Sequence, residues 1–156
     1  MKQVFLGIGS NIGDKENNIL NAIKYLSANK DIKIKKIASI IKTEAIPNNN
    51  QPQFLNTVIE IETSLTPEKL LEITRSIELK LKRFSKGDYG PRTIDIDILF
   101  YEDEIILTND LTIPHPLLHE RKFVLEPLCE IAPDLIHPIL GISIKDIYED
   151  YLKCGN

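Results

Sequence analysis

The chain has 156 residues, of which 42% are hydrophobic and 27% charged, and its formal net charge is −4. This length fits a single domain spanning residues 1–156, and the acidic balance argues against a general nucleic-acid-binding protein, which would need many basic side chains to neutralise phosphates. No run approaches the roughly 20 apolar residues of a membrane helix, the N-terminal residues lack a signal-peptide pattern, and two cysteines in unlike settings suggest neither a disulfide framework nor a zinc site. We therefore expect a cytoplasmic protein with neither nucleic acid nor membrane as a partner.

The N-terminal third alternates strand-like and helical patterns. Residues 4–8 form an apolar run typical of a buried strand, and residues 15–28 have a helical period. The apolar stripe of this helix is predicted to consist of Ile19, Leu20, Ile23 and Leu26. Residues 32–43 and 54–62 are predicted to be extended, and residues 44–53 between them, rich in proline and asparagine, to form a mobile loop.

A second helix is predicted to begin at Thr66, because a threonine cap is followed by Pro67 at the first helical position and by an acidic first turn. Its apolar stripe consists of Leu70, Ile73, Ile77, Leu81 and Phe84. Residues 84–90 then predict a second mobile loop, residues 94–99 a strand, and residues 105–107 a short strand.

The C-terminal region predicts a stiff loop at residues 113–116 and two helices. The first covers residues 123–131 and is strained or begins near Pro127, and the second follows a Ser143 cap. The order strand, helix, strand, strand, helix, strand is that of a ferredoxin-like α+β sandwich, a mainly antiparallel sheet with two helices on one face. The predicted fold is thus a βαββαβ core followed by C-terminal helices.

Asp95 and Asp97 alternate with isoleucines in the strand at residues 94–99. Successive strand side chains face opposite ways, so the two carboxylates share one face about 6.6 Å apart. Such a pair suits Mg²⁺, which is usually held by one or two carboxylates together with nucleotide phosphates. A bare Asp-x-Asp is more often the polar face of an ordinary strand. The preceding Gly90-Pro91-Arg92-Thr93 turn favours the metal, with Arg92 placed to meet phosphate oxygens.

Residues 80–92 carry five basic side chains against Asp88 alone, a local charge of +4. This charge could attract a polyphosphate, or it could equally mark a solvated helix end. The spacing of Gly7, Gly9 and Gly13 does not match a dinucleotide fingerprint, and no P-loop is present in the sequence. A triphosphate would therefore be held by metal and by side chains, for which the candidates are Arg83, Arg92, His115 and Arg121.

Phe54 and Asn56 lie two residues apart on a predicted strand, so an aromatic ring and an amide face the same way. The pair fits a flat heterocycle, because the ring can stack and the amide can both donate and accept hydrogen bonds. The alternatives are a core phenylalanine beside a polar residue and, for His115, a surface histidine without a partner.

Several segments, taken in order, resemble the 6-hydroxymethyl-7,8-dihydropterin pyrophosphokinase family of folate biosynthesis over nearly the full length. Residues 90–99 are close to diagnostic for this family. The other matching segments are residues 7–11, 51–56, 114–116, 121–128 and 130–133.

The resemblance implies an ATP-dependent diphosphotransferase that moves the β,γ-diphosphate of ATP to the pterin hydroxymethyl group, giving AMP. It implies two Mg²⁺ ions held by Asp95 and Asp97, a monomer, and small-molecule partners, ATP and the pterin. The catalytic set would be Arg83, Arg92, Asp95 and Asp97. The nucleotide would be bound by Glu78, Arg83, Arg92, Ile98, Thr112, His115 and Arg121. The pterin pocket would be lined by Thr43, Ala45, Ile46, Phe54, Asn56 and Phe123, with Phe54 and Phe123 on either side of the ring.

Three positions depart from the commoner family pattern: Ala45 replaces a frequent proline, Ser85 an arginine and Tyr89 a tryptophan. These departures concern how tightly residues 84–90 close over ATP, and so the rate rather than the reaction. The rival hypotheses are another Mg-dependent nucleotidyl or phosphoryl transferase, and a non-catalytic ferredoxin-like binding module such as an RNA-recognition domain.

Overall fold

The computed structural model describes residues 1–43, 53–82 and 93–154. The strands are β1 (Lys2–Ser10), β2 (Ile32–Ile37), β3 (Ile41–Lys42), β4 (Leu55–Thr63), β5 (Asp95–Tyr101), β6 (Ile106–Leu107) and β7 (Thr112–Ile113). The helices are α1 (Lys15–Ser27), α2 (Pro67–Lys82), α3 (Lys122–Ile131) and α4 (Ile144–Cys154), and a 3₁₀ turn covers Leu118–Glu120. Among the described helices, none has the length and apolar character needed to cross a bilayer.

The main sheet has the strand order β2-β4-β1-β5, and β3 also pairs with β4. Every pairing is antiparallel. This confirms the predicted α+β fold with an antiparallel sheet. The predicted extended segment at residues 32–43 is divided into β2 and β3, and between them the Ala38 N–H donates to the Val58 carbonyl at 3.0 Å.

Helices α1 and α2 cover one face of this sheet. Their buried residues Ile19, Ile23, Leu26, Leu70 and Ile77 pack against Val4, Leu6, Ile8, Ile59, Ile61, Ile94, Ile96 and Ile98. The prediction for Leu20 was wrong: this side chain is 49% exposed, and Ala22 is buried instead. Residues 19, 22, 23 and 26 share one helical face, whereas residue 20 is turned by about 100° from residue 19.

Helices α3 and α4 cover part of the opposite face. Their core residues Val124, Leu125, Leu128, Ile144 and Ile147 contact Phe5, Val58, Leu99 and Phe100 of the sheet. The sequence predicted both helices but not the face that they occupy. The sheet is thus buried on both sides near the middle of β1.

The predicted helix caps are present. The Thr66 hydroxyl accepts from the Lys69 N–H at 3.2 Å, and the Ser143 hydroxyl accepts from the Asp146 N–H at 3.1 Å. Helix α3 does not begin near Pro127, however, since it starts at Lys122 and passes through the proline. Burial of its apolar face offsets the cost of about 3 kcal/mol that an interior proline imposes.

A bulge at Leu99 shapes the far edge of the sheet. Phe5 pairs with Phe100 but Leu6 pairs with Ile98, so β5 contains one extra residue. The Leu99 carbonyl accepts from the His115 N–H at 3.0 Å. The loop after β7, which the sequence predicted as stiff and which contains a cis Ile113–Pro114 bond, is thereby attached to β5.

Candidate active site

Asp95 and Asp97 lie on one face of β5, as predicted. Their neighbours Ile94, Ile96 and Ile98 are 0%, 5% and 5% exposed, whereas Asp95 is half-buried and Asp97 is exposed. Across the sheet Asp95 pairs with Gly9 and Asp97 with Gly7 of β1. The strand therefore buries its isoleucines under α2 and presents both carboxylates on the opposite face.

A cavity of about 370 Å³ lies at the edge of β5, between α2 and the loop after β7. Its lining includes six of the predicted site residues, namely Glu78, Asp95, Asp97, Ile98, Thr112 and His115. Residues far apart in the sequence are thus brought together around one space. Its volume lies within the range of a small-molecule site.

The described lining of this cavity is strongly acidic. Four carboxylates, those of Glu78, Asp95, Asp97 and Asp110, face one guanidinium, that of Arg75. Cations bound at such carboxylates would favour the approach of a triphosphate. Oxygen ligands on two carboxylates are the donor set that Mg²⁺ prefers. Among the described residues there is no group of three or more acidic, histidine or cysteine side chains that could hold a metal by themselves.

Glu78 joins α2 to the edge strand. One of its carboxylate oxygens accepts from the Ile96 N–H at 2.9 Å. Because β5 is the last strand on this side of the described sheet, the Ile96 N–H has no strand beyond it to bind. Glu78 therefore satisfies the open edge of β5 and fixes α2 beside the cavity.

Both the backbone and the imidazole ring of His115 are fixed by hydrogen bonds. Besides the N–H bond to Leu99, its Nδ1 accepts from the Leu117 N–H at 3.3 Å. Burial lowers the pKa of His115, with Arg121 acting in the same direction and Asp97 opposing it. The imidazole is therefore neutral at pH 7, and since Nδ1 is an acceptor, the proton is assigned to Nε2. It can donate one hydrogen bond to an anionic ligand.

Arg121 and Phe123 lie at the start of α3. The Arg121 carbonyl accepts from the Val124 and Leu125 N–H groups at 3.0 and 2.9 Å, which fixes the first turn. The Arg121 guanidinium lies 5.6 Å from the centroid of the Phe123 ring. Phe123 is half-buried against the core under α3. Neither residue lines the cavity at β5.

Thr43, Phe54 and Asn56 form a second group of predicted site residues. The Thr43 N–H donates to the Phe54 carbonyl at 2.9 Å, and the Asn56 amide Nδ2 donates to the Thr43 hydroxyl. Asn56 is 6% exposed and pairs with Ile41 of β3 on one side and Gly9 of β1 on the other. Its amide therefore has a fixed orientation, as selective binding of a heterocycle requires.

Four predicted site residues, Arg83, Arg92, Ala45 and Ile46, lie outside the described residues. So do almost all of the loops predicted to be mobile, at 44–53 and 84–90, together with Ser85 and Tyr89. Their assigned roles remain predictions.

Sequence reasoning missed Thr74, Arg75, Asp110 and Leu111, which also line the cavity. Thr74 lies four residues before Glu78, so helical spacing could have placed the two side by side. Asp110 and Leu111 reach the cavity through the pairing of β6 with β7, and the sequence carries no local signal for it. The sequence places Ile113 in the stiff loop at residues 113–116, whereas in the structure it is the second residue of β7.

Comparisons with known proteins give a consistent result. Residues 5–133 match a family model described as "7,8-dihydro-6-hydroxymethylpterin-pyrophosphokinase (HPPK)". The chain is 43% identical over 146 residues to the 2-amino-4-hydroxy-6-hydroxymethyldihydropteridine pyrophosphokinase of Aquifex aeolicus, covering 94% of this chain and 90% of that protein. It is 44% identical over 128 residues to the protein of the same name from Bacillus subtilis, covering 82% and 77%.

A solved structure shares the fold. The crystal structure of Plasmodium falciparum HPPK-DHPS wild type with pterin and p-hydroxybenzoate superposes with a TM-score of 0.77 at 17% identity. The match covers 97% of this chain and 43% of that one. At this identity the likeness concerns the architecture alone, and this chain spans less than half of the larger protein.

Proposed function

The chain belongs to the 7,8-dihydro-6-hydroxymethylpterin-pyrophosphokinase family, and we propose that it transfers the β,γ-diphosphate of ATP to 6-hydroxymethyl-7,8-dihydropterin in folate synthesis. The hydroxymethyl oxygen attacks the β-phosphorus, the bond from that phosphorus to the α,β-bridging oxygen breaks, and AMP leaves. The observation that carries this proposal is the pair of carboxylates on one face of β5, both of which line the cavity.

We propose that Asp95 and Asp97 hold two Mg²⁺ ions. The fit rests on their oxygen donors and on the face of β5 that they share beside the cavity. When bound, the ions neutralise the triphosphate and allow it to approach the carboxylates.

For the nucleotide, we propose binding by Glu78, Ile98, Thr112, His115 and Arg121, with Arg83 and Arg92 from outside the described residues. The neutral His115 would donate from Nε2 to a phosphate oxygen, and Arg121 would add a charge-assisted contact. The protein has little covalent work to do in such a transfer, so these residues act by positioning and by stabilising charge.

For the pterin, we propose a pocket of Thr43, Phe54, Asn56 and Phe123, with Ala45 and Ile46 from outside the described residues. The Asn56 amide can donate and accept at the edge of the pyrimidinone ring, while Phe54 and Phe123 stack on its faces. The acceptor of the hydroxyl proton would be Asp97 or a water molecule on the bound metal, two candidates that the sequence leaves open.

We also propose that residues 1–156 act as one domain, as a monomer in the cytoplasm. Both hydrophobic clusters pack against the same sheet, which supports a single domain. The proposed nucleotide-binding residues and the proposed pterin-binding residues all come from one chain, which supports a monomer. Cys129 and Cys154 are free thiols, in keeping with a reducing compartment.

The test is a product analysis of the purified chain with ATP, Mg²⁺ and 6-hydroxymethyl-7,8-dihydropterin. We expect AMP and the pterin diphosphate in equal amounts, and no AMP when the pterin is omitted. Release of ADP or free diphosphate would support another phosphoryl or nucleotidyl transferase, and absence of any product would support a binding module. Either result would overturn the proposal.

A further inference from the structure

We propose that Gly9 is a positioning residue for the pterin, because the absence of a side chain at this point of β1 is what lets the Asn56 amide face Thr43. This inference rests on the proposed function, in which Asn56 contacts the pterin. It adds Gly9 to the proposed pterin site as a residue that has no side chain to contact the substrate and that acts by positioning Asn56.

Gly9 occupies the middle of a three-strand row. It pairs with Asn56 of β4 on one side and with Asp95 of β5 on the other. Directly paired residues of neighbouring strands point to the same face of a sheet. The row therefore places the proposed pterin amide and the proposed metal carboxylate on either side of a position that has no side chain.

The space above Gly9 is already filled by the Asn56 amide. A Cβ added to Gly9 would lie 2.6 Å from the Asn56 Oδ1 and 3.6 Å from the Leu55 carbonyl oxygen. A carbon cannot approach an oxygen so closely without one of them moving. The amide thus lies directly across the backbone of β1.

We expect the Asn56 amide to move, and the backbone of β1 to stay in place. β1 is paired along its length with β4 and along most of it with β5, so a shift of its backbone would break hydrogen bonds in two ladders. The Asn56 side chain can instead rotate, at the expense of its bond from Nδ2 to the Thr43 hydroxyl. A methyl group at residue 9 would therefore leave the fold in place and turn the pterin-binding amide away.

Gly7 offers a matched control on the same strand and face. A Cβ there would lie 3.5 Å from the Leu99 side chain, which is an ordinary van der Waals distance. Neither glycine has a left-handed backbone conformation, so alanine is compatible with the backbone at both positions. The two substitutions differ in whether the new methyl group meets the Asn56 amide.

The experiment compares Gly9→Ala, Gly7→Ala, Asn56→Ala and the double variant Gly9→Ala/Asn56→Ala. We measure the KM for the pterin, the KM for ATP, kcat and Tm. Gly9→Ala should raise the pterin KM by about tenfold, the scale of one lost hydrogen bond in a binding site. The KM for ATP should stay unchanged, and Gly7→Ala should match the wild type in all four quantities.

The double variant separates positioning from a general structural effect. With the Asn56 amide removed, the methyl group at residue 9 meets nothing that binds the pterin, so the double variant should equal Asn56→Ala in pterin KM and in Tm. If Gly9→Ala does not fold, the same logic requires the double variant to fold.

Three results would overturn the inference: an unchanged pterin KM in Gly9→Ala, equal effects of the two glycine variants, or additive effects of Gly9→Ala and Asn56→Ala. A wild-type chain that makes no AMP from ATP and the pterin would overturn the proposed function and this inference together. Wild-type turnover with any of the three results overturns this inference alone.

Discussion

One face of the strands β4, β1 and β5 carries two regions that differ in character. Where Phe5, Val58 and Phe100 point from it, helices α3 and α4 cover the sheet. Four residues further along β1, the row of Asn56, Gly9 and Asp95 has polar side chains or none. A bulge at Leu99 separates the two regions. In the first, which we call the closed region, apolar side chains pack against helices α3 and α4. In the second, which we call the open region, the polar side chains belong to the proposed site, so the two regions differ in the type of side chain that the strands present.

The closed region should respond to substitution through stability. Phe100 contacts Phe5 with ring centroids 6.3 Å apart and His137 at 5.6 Å, and it is 1% exposed. Phe100→Ala should lower the free energy of unfolding by about 3–5 kcal/mol, because it leaves a cavity in a packed core. Urea unfolding measures this loss.

The matched control for that prediction is Leu79→Ala, a residue of α2 that is 71% exposed. It should change the free energy of unfolding by less than about 0.5 kcal/mol. Similar losses in the two variants would show that the α3 and α4 side is not a tight core.

The open region should respond through catalysis. Asp95→Ala or Asp97→Ala should reduce kcat/KM by about 10²–10³-fold, because each removes a proposed ligand of the Mg²⁺ ions that would neutralise the phosphates, while Tm is maintained. Steady-state kinetics at saturating Mg²⁺ and thermal unfolding measure the two effects. Asp103→Ala, in the exposed turn after β5 and outside the cavity, should behave as the wild type. Near-normal turnover of either strand variant would contradict the proposed metal role.

Acidification should loosen the closed region through His137. Its Nδ1 accepts from the Ile139 and Leu140 N–H groups at 3.2 and 3.1 Å, and burial lowers its pKa, with His119 adding to the shift. Because the folded pKa lies below the unfolded value of about 6.5, the unfolded chain binds more protons as pH falls, and stability is lost as pH drops through that value.

His137→Asn should keep an acceptor near the same N–H groups without titrating. We expect the free energy of unfolding to fall less between pH 7.5 and pH 5.5 in this variant than in the wild type, roughly the span over which histidine titrates. Urea unfolding at the two pH values compares the slopes. Identical slopes would show that another group is responsible.

The smallest effect is expected where the two regions meet. The Glu130 carboxylate of α3 accepts from the Ser39 N–H at 3.0 Å and from the Ser39 hydroxyl at 3.3 Å, which ties α3 to the segment before β3. Glu130→Ala should cost about 0.5–1.5 kcal/mol of stability. A loss no larger than that of Glu72→Ala, an exposed α2 residue in a 3.7 Å pair with Lys69, would mean that this tie contributes nothing.

Local patterns predicted what depends on local physics. The alternation of Asp95 and Asp97 with isoleucines predicted the orientation of β5, and the Thr66 cap predicted the start of α2. Three features could not be predicted locally, because they depend on contacts between segments that are distant in the sequence. These are the face of the sheet that α3 covers, the bulge at Leu99 and the position of Asp110 beside the cavity. Helix α3 shows the same limit, because its packing overrides the local signal of Pro127.

Besides its proposed contact with the nucleotide, Glu78 protects the edge of the described sheet. Its carboxylate accepts from the Ile96 N–H, and so it shields the outermost strand from pairing with a strand of another molecule. Replacing it with an apolar residue would leave that amide available for self-association. Variants made to change the proposed nucleotide contact should therefore keep a hydrogen-bond acceptor at position 78, and their solubility should be measured together with their affinity.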